Sequence, residues 1–393
     1  MVEFNYHTPT EVVFGENSEL QVANMVKLYK GKKVLLHYGG KSAIKSGLIQ
    51  RVSDTLEEAG IEFKTLGGVV ANPVLSKIEE GIKLVKEEKI DFILAVGGGS
   101  TIDSSKAIAV GALSDKPIWD FVGNVNIEKA LPVGVILTIA AAGSEMSSGA
   151  VITNDKTNLK RDFGGRGVRP VFALLNPTLT YTLPDYQSAC GVADIIMHTL
   201  ERYFTNATSM DITDQISAVL VQNVIKHGRI ILDNPEDYTS RAEIMWSGSL
   251  SHNGLTGVRA DNGDWACHQM GHELSAKYGL AHGESLTAVW PTWARYVYSE
   301  NPERFKKFAI EVMQVSAEDK TTSTIILEGI DKLEKYFNDI GLKTSLKDLK
   351  FDIDQEDIED MALKTTHNNT FTPGNIKKLA YEDIVEIFET SNK

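Results

Sequence analysis

Through the first half of the chain, short apolar runs alternate with stretches of helical periodicity. Val34-Leu35-Leu36-His37-Tyr38 reads as a strand, followed by a Gly39-Gly40 turn and an amphipathic helix over residues 42–59. Residues 61–66 and 91–96 read as further strands, with a helix over 78–88 between them. A helix over 102–113 and a strand over 133–138 continue the alternation. Strands that alternate with helices predict an α/β fold, a parallel sheet flanked by helices. After Pro184 the period changes to that of helices almost throughout, over residues 187–233, 237–257, 263–278, 302–314, 322–340, 354–365 and 381–390. Two prolines and a Leu183-Pro184-Asp185 turn signal interrupt the pattern between Asn176 and Asp185. The expected organisation is therefore an α/β domain over 1–184 and an all-α domain over 185–393.

Length agrees with two cores, since 393 residues exceed what one average domain carries. The formal charge of −13 lacks the clustered positive field that a nucleic-acid partner requires. It leaves small-ligand chemistry open, because local amides and a few cations can outweigh a distant net charge. No apolar run approaches the roughly 20 residues of a membrane span. The first residues, Met1-Val2-Glu3-Phe4-Asn5-Tyr6, have neither the basic patch nor the apolar core of a signal peptide. Cys190 and Cys267 are the two cysteines, too few for a disulfide framework, and a reducing cytoplasm is the expected location.

Candidate chemistry lies in two places. Gly97-Gly98-Gly99-Ser100 directly follows a strand run and precedes a helix, so its amides and the helix dipole suit a pyrophosphate. Ser100 adds a hydroxyl, and Asp103 is placed to accept from a carboxamide or a ribose. A tight strand-to-helix turn would use the same glycines. Farther on, Asp194 and His198 stand four apart, as do His268 and His272, and His282 follows. That step puts each pair on one helix face. Five candidate ligands lie in two segments, and four of them suffice for Fe²⁺ or Zn²⁺ with a coordination position left open. Separate core or surface histidines are the plain alternative. His272-Glu273 lacks the second histidine of a zinc-protease motif.

Taken in order, these stretches resemble the iron-containing (group III) alcohol dehydrogenases, in particular their butanol dehydrogenase-like branch. The resemblance rests on Gly97-Gly-Gly-Ser-Thr-Ile-Asp103, Leu137-Thr138, Gly143-Ser-Glu-Met146, Asn176-Pro177-x-x-Thr180, Asp194-x-x-x-His198 and His268-x-x-x-His272 to His282, and it runs nearly end to end. It implies a dinucleotide-binding α/β domain and a helical metal-binding, catalytic domain. It assigns the metal to Asp194, His198, His268 and His282, and leaves His272 near the metal and cofactor, in proton relay. Gly97, Gly98, Gly99 and Ser100 would hold the pyrophosphate, Asp103 the nicotinamide end, and Thr138 and Leu179 the remaining cofactor surface. The family commonly forms dimers, with residues 10–14 joining across subunits.

An acid at the end of the first strand favours NAD, because it accepts from free ribose hydroxyls and repels a 2′-phosphate. Here Gly39, Gly40, Lys41 and Ser42 follow that strand, with no acid among them. Ser42 and Lys160 match the phosphate-binding positions of NADP-preferring relatives, with Lys41 and Arg161 as helpers. NADP is therefore expected ahead of NAD, and Fe²⁺ ahead of Zn²⁺. One departure stands out: Ala142 precedes Gly143-Ser144-Glu145 where many members of the family carry threonine. The activity implied is oxidation of small, linear primary alcohols such as butanol and reduction of the aldehydes. An NAD- and zinc-dependent polyol dehydrogenase and a dehydroquinate synthase-like metal-dependent lyase are the neighbouring readings.

Overall fold

The computed structural model describes residues 3–207, 210–257, 261 and 263–393. The chain divides into two compact units. One comprises His7–Leu183 and Glu236–Ser249, the other Pro184–Pro235 and Leu250–Lys393 with residues 3–6. The expected single cut after residue 184 therefore differs from this division at residues 3–6, at Pro184, and over residues 236–249. This last stretch groups with the N-terminal unit because Trp246 packs edge-on against Phe14 and Ser249 donates to the buried Glu145.

The first unit is built on a parallel sheet. Its elements are β1 (Glu11–Phe14), α1 (Val22–Leu28), β2 (Lys33–Tyr38), α2 (Lys41–Lys45), α3 (Leu48–Glu58), β3 (Glu62–Leu66), α4 (Leu75–Glu88), β4 (Phe92–Gly97), α5 (Gly99–Ala112) and β5 (Val133–Leu137). An antiparallel hairpin, β6 (Gly149–Asn154) and β7 (Leu159–Gly164), precedes the last strand, β8 (Phe172–Leu175). The sheet order is β1-β8-β5-β4-β2-β3, with every pairing parallel. β4 is buried along its whole length, as strands covered by helices on both faces must be. The chain winds outward from β2 to β3, then crosses back to β4 on the other side of β2. The crevice at such a reversal is where open α/β sheets bind ligands. Register pairs Tyr38 with Val96, so the turn after β2 and the glycine loop after β4 emerge side by side.

Several expectations need correction. The helix over 42–59 is two helices, because Gly47 takes a left-handed φ of 74° that ends one and starts the next. β1, β6, β7 and β8 carry no alternation long enough to read from the sequence. β1 is completed by a partner far along the chain, Glu11 pairing with Phe172, while β6 and β7 complete one another in a short hairpin, Thr153 pairing with Lys160.

The second unit is built from helices, with no strand among its described residues. It holds α6 (Asp185–Tyr203), α7 (Asp211–Asp233), the end of α8 (Tyr238–His252), α9 (Ala266–Tyr278), α10 (His282–Thr287), α11 (Trp290–Val297) and α12 (Pro302–Lys307). α13 (Thr322–Asp339), α14 (Gln355–Thr365) and α15 (Tyr381–Ser391) complete it. The helix expected over 187–233 is interrupted between Tyr203 and Asp211; residues 208 and 209 lie outside the described residues. α6 is buried from Ser188 to Tyr203 on all sides, which makes it the central helix of the unit. Its end is clamped by Arg304, which stacks 3.7 Å over the Tyr203 ring and donates to the Tyr203 carbonyl at 2.7 Å. The same guanidinium forks onto Asp214 at 2.6 and 2.8 Å, and Lys307 adds a third bond at 2.9 Å.

Removing one member of such a buried pair leaves the other desolvated and unanswered. Asp214→Ala is expected to cost about 3–5 kcal/mol, read as a lower denaturant midpoint for the helical unit. A loss below about 1 kcal/mol would mean that the clamp contributes no more than a surface pair.

Candidate metal centre and nucleotide loop

α6 presents Asp194 and His198 one turn apart, α9 presents His268, and His282 is the first residue of α10. The sequence makes the approach of these helices close. A Cβ at Gly283 would stand 2.1 Å from the Cys190 carbonyl oxygen, so only glycine lets the start of α10 lie against the α6 backbone. Tyr186 on α6 donates to Glu284 on α10 at 2.6 Å and holds the same junction.

One donor atom from each of Asp194, His198, His268 and His282 lies within 4.8 Å of the other three. Asp194 Oδ1 is 3.0 Å from His198 Nδ1 and 3.8 Å from His282 Nε2. Asp194, His198 and His268 are buried and His282 is partly exposed. Three imidazoles and a carboxylate at this spacing are borderline-to-hard donors, and they fit a first-row divalent ion such as Fe²⁺ or Zn²⁺. His272 is drawn to the same place: its buried ring stacks 5.5 Å from His282 and stands 6.4 Å from His268.

Two neighbours of the cluster, His252 and Glu201, were not singled out from the sequence. His252 has its ring 4.2 Å from that of His198, and the Trp265 ring is 4.8 Å from His268. Glu201, one turn beyond His198 on α6, accepts from His268 Nδ1 at 3.0 Å. Burial pushes the Glu201 carboxyl above its ordinary range, against the pull of the His268 and Trp265 amides. The two thiols lie apart from this chemistry: both cysteines are buried and reduced, and burial pushes Cys190 up to about 12.

In the α/β unit, Gly97, Gly98, Gly99 and Ser100 form the turn from β4 into α5. Gly98 caps α5 in extended conformation and accepts from Thr101 and Ile102, so the earlier amides of the helix face away from its own carbonyls. A Cβ on Gly98 would stand 2.1 Å from Ile139 Cγ2. Thr138 donates its amide to Gly97 at 3.1 Å, and a Cβ on Gly99 would stand 3.4 Å from Ala142 Cβ. The structure thus gathers Gly39, Gly97, Gly98, Gly99, Ser100 and Thr138 at the sheet's reversal. Gly40 and Ser42 follow at the start of α2, with Ser42 exposed; the Lys41 side chain lies outside the described residues. Leu179 sits on the turn after β8 and packs against the core.

Asp103, one turn into α5, is engaged by the protein. Its Oδ1 accepts from Ser144 Oγ at 2.5 Å and its Oδ2 from the Val151 amide at 2.9 Å. The reason lies beside it in Lys106, which reads from the sequence as an ordinary helix lysine. Its Nζ is fully buried and donates to Ser144 Oγ at 2.8 Å, to the Gly149 carbonyl at 2.7 Å and to Ser147 at 3.2 Å. Together they pin residues 144–151 onto α5. Lys160 is buried on β7 and donates to Asn72 Oδ1 at 2.9 Å, while Arg161 donates to the Lys160 carbonyl.

A glycine loop at the reversal of a parallel sheet and a buried cluster of metal-binding groups are the working parts of a metal-dependent oxidoreductase. The comparisons give the class its family. Residues 9–177 match the model for iron-containing alcohol dehydrogenase, and residues 188–392 match that for the C-terminal part of the Fe-containing alcohol dehydrogenase family. The chain belongs to the iron-containing alcohol dehydrogenase family. It is 40% identical to the probable NADH-dependent butanol dehydrogenase 1 of Bacillus subtilis, across the whole of both chains. It is 35% identical to the NADPH-dependent aldehyde reductase of Escherichia coli over 90% of each. The crystal structure of NADH-dependent butanol dehydrogenase A from Thermotoga maritima superposes with a TM-score of 0.95 at 37% identity, covering 100% of this chain and 99% of that one. The chain is thus an oxidoreductase of the alcohol dehydrogenase class. Among the described residues, no helix is long and apolar enough to cross a membrane.

Burial pulls Lys106 down to about 8, while the Asp103 charge pulls it the other way. Between about 8 and the ordinary 10.5, the unfolded chain holds a proton that the folded chain has released. Stability contributed at this site therefore rises with pH across that window, by on the order of 3 kcal/mol at full extent. Lys106→Met has no such proton, so the wild type should gain on it between about pH 8 and 10 in urea unfolding. Parallel pH curves for the two proteins would show that the ammonium is not desolvated as the geometry has it.

Proposed function

We propose that the protein interconverts small, linear primary alcohols and their aldehydes, with butanol and butanal as the type substrates, and that it prefers NADP(H) over NAD(H). The observation that carries the reading is the convergence of Asp194, His198, His268 and His282 on one point. In this reading residues 1–184 carry the dinucleotide and residues 185–393 the metal.

Those four residues would hold Fe²⁺, with Zn²⁺ as the substitute. Such an ion polarises the substrate oxygen, and the nicotinamide carries the hydride. The chain's own residues bind, orient and move the proton. Gly97, Gly98, Gly99 and Ser100 bring backbone amides to the pyrophosphate. Asp103 sets the nicotinamide end by fixing the segment that starts at Ser144, and Thr138 and Leu179 line the rest. His272, buried beside His282, holds the proton exchanged with the substrate oxygen.

The nucleotide preference rests on this chain's own residues, since relatives named for NADH and for NADPH share its length and fold. Gly39, Gly40 and Ser42 supply no carboxylate to repel a 2′-phosphate, and Lys160 supplies a cation in the same unit. The protein is expected to act in the cytoplasm as a homodimer. β1 supports the dimer reading, because it leaves one edge of the sheet open around residues 10–14.

Metal-stripped protein, reloaded with Fe²⁺ or Zn²⁺ and assayed with butanal, should regain turnover and oxidise NADPH faster than NADH. Ser42→Asp should shift the ratio toward NADH by about tenfold, or ~1.4 kcal/mol. His272→Ala should lower kcat; near-full kcat in that variant would remove His272 from the mechanism. Faster turnover with NADH in the wild type would overturn the phosphate-site assignment alone. Substrate conversion without any net change in NADPH or NADH would favour the lyase chemistry instead. Light scattering should return about twice the mass of one chain, and a monomer would refute the role given to β1.

A further inference from the structure

The Glu201 carboxylate does more than a helix cap requires. It leaves α6 one turn after His198, is fully enclosed, and receives three N–H groups from the start of α9. Oε2 accepts from the Trp265 amide at 2.7 Å, while Oε1 accepts from the His268 amide and from the His268 ring Nδ1, both at 3.0 Å. One amide is that of Trp265, which occupies the cap position of α9 with a φ of 65° and makes no capping bond. The other lies in the helix's first turn, where Asp264 Oδ1 takes only the Ala266 amide. A carboxylate supplied from a neighbouring helix satisfies those donors and complements the helix dipole. The third bond serves no such purpose, because it goes to a side chain. A carboxylate can only accept, so the ring must donate from Nδ1 and keep its lone pair on Nε2.

We propose that Glu201 is the positioning residue of the metal centre: it fixes His268 in the Nδ1–H tautomer and commits Nε2 to the cluster, while holding α9 in register with α6. The inference rests on the reading that Asp194, His198, His268 and His282 hold the metal. It adds to them an outer carboxylate that makes the histidine a better donor and fixes its aim.

The chemistry singles out one substitution. Glu201→Gln keeps the shape but has a single acceptor oxygen and an NH₂ group. If that oxygen faces His268, the NH₂ opposes the Trp265 amide, donor against donor. If it faces Trp265, the NH₂ meets His268 Nδ1, and the ring must move its proton to Nε2 and lose the donor lone pair. Either outcome weakens the site.

Co²⁺ is the probe, its affinity measured by competition with a chromophoric chelator on the full-length protein, with the circular dichroism of the metal-free variants taken alongside. Glu201→Gln should bind Co²⁺ about ten- to a hundredfold more weakly than wild type. Glu201→Asp fits less well but only accepts, and should stay nearer to wild type. A purely structural role predicts the reverse order, with the isosteric glutamine as the milder change. A folded Glu201→Gln protein that binds Co²⁺ as tightly as wild type overturns the proposal. Should that variant fail to fold, nitrogen-15 histidine spectra of the wild-type protein loaded with Zn²⁺ decide the matter. The His268 signal, assigned by its loss in His268→Gln, should show a protonated Nδ1 and a metal-bound Nε2; the opposite pattern overturns the proposal. Wild-type protein that takes up no Co²⁺ would refute the metal reading itself, and the role of Glu201 with it.

Discussion

A charge taken out of water must be answered by the protein, and this demand organises both units. Lys106 is buried with Asp103 beside it, and the lysine's remaining hydrogen bonds go to Ser144, Ser147 and Gly149. The ammonium's hydrogen bonds tie Ser144, Ser147 and Gly149, the run that leads into β6, to α5. That segment feeds β6, and Asp103 takes its backbone and its serine at once. The glycine loop after β4 therefore sits on a helix whose next turn is already braced.

The helical unit meets the same demand with carboxylates. Asp214 is enclosed by Arg304 and Lys307, and Glu201 by the first turn of α9. Asp264, three residues before Cys267, accepts from the amides of Asn375 and Ile376 and so draws the segment before α15 to the same helix end. Glu201 lies three residues after His198, and Asp264 directly precedes Trp265. The ordering of the donors and the stability of the helices thus share parts.

The legible portion of the fold was the part whose signal is local. β2, β4 and β5 are apolar runs bounded by turns, and the glycine loop follows one of them. Asp194, His198 and His268, three of the four residues that converge, are marked by a four-residue step on α6 and α9. What could not be read depends on partners far away in sequence. β1 and β8 are four residues each, β1 held by β8 and β8 by both β1 and β5, and residues 236–249 join the first unit through Trp246 and Ser249. His252 has no spaced partner to mark it. Lys106 and Glu201 look like solvated helix charges until the packing around them is known. The local signal of a lysine is the same whether its ammonium meets water or four oxygens.

The pairing of β1 with β8 also bears on how the protein is made. Glu11 leaves the ribosome early, but Phe172, its partner, follows 161 positions later. Throughout that interval the growing sheet lacks its last neighbour, and the strand that will close it waits with its amides and carbonyls facing water. Closing so long a span carries an entropic cost that few local contacts offset beforehand, which slows the final step. During synthesis the first strand is therefore the part of the sheet most open to the wrong partner, whether another nascent chain or a holding chaperone.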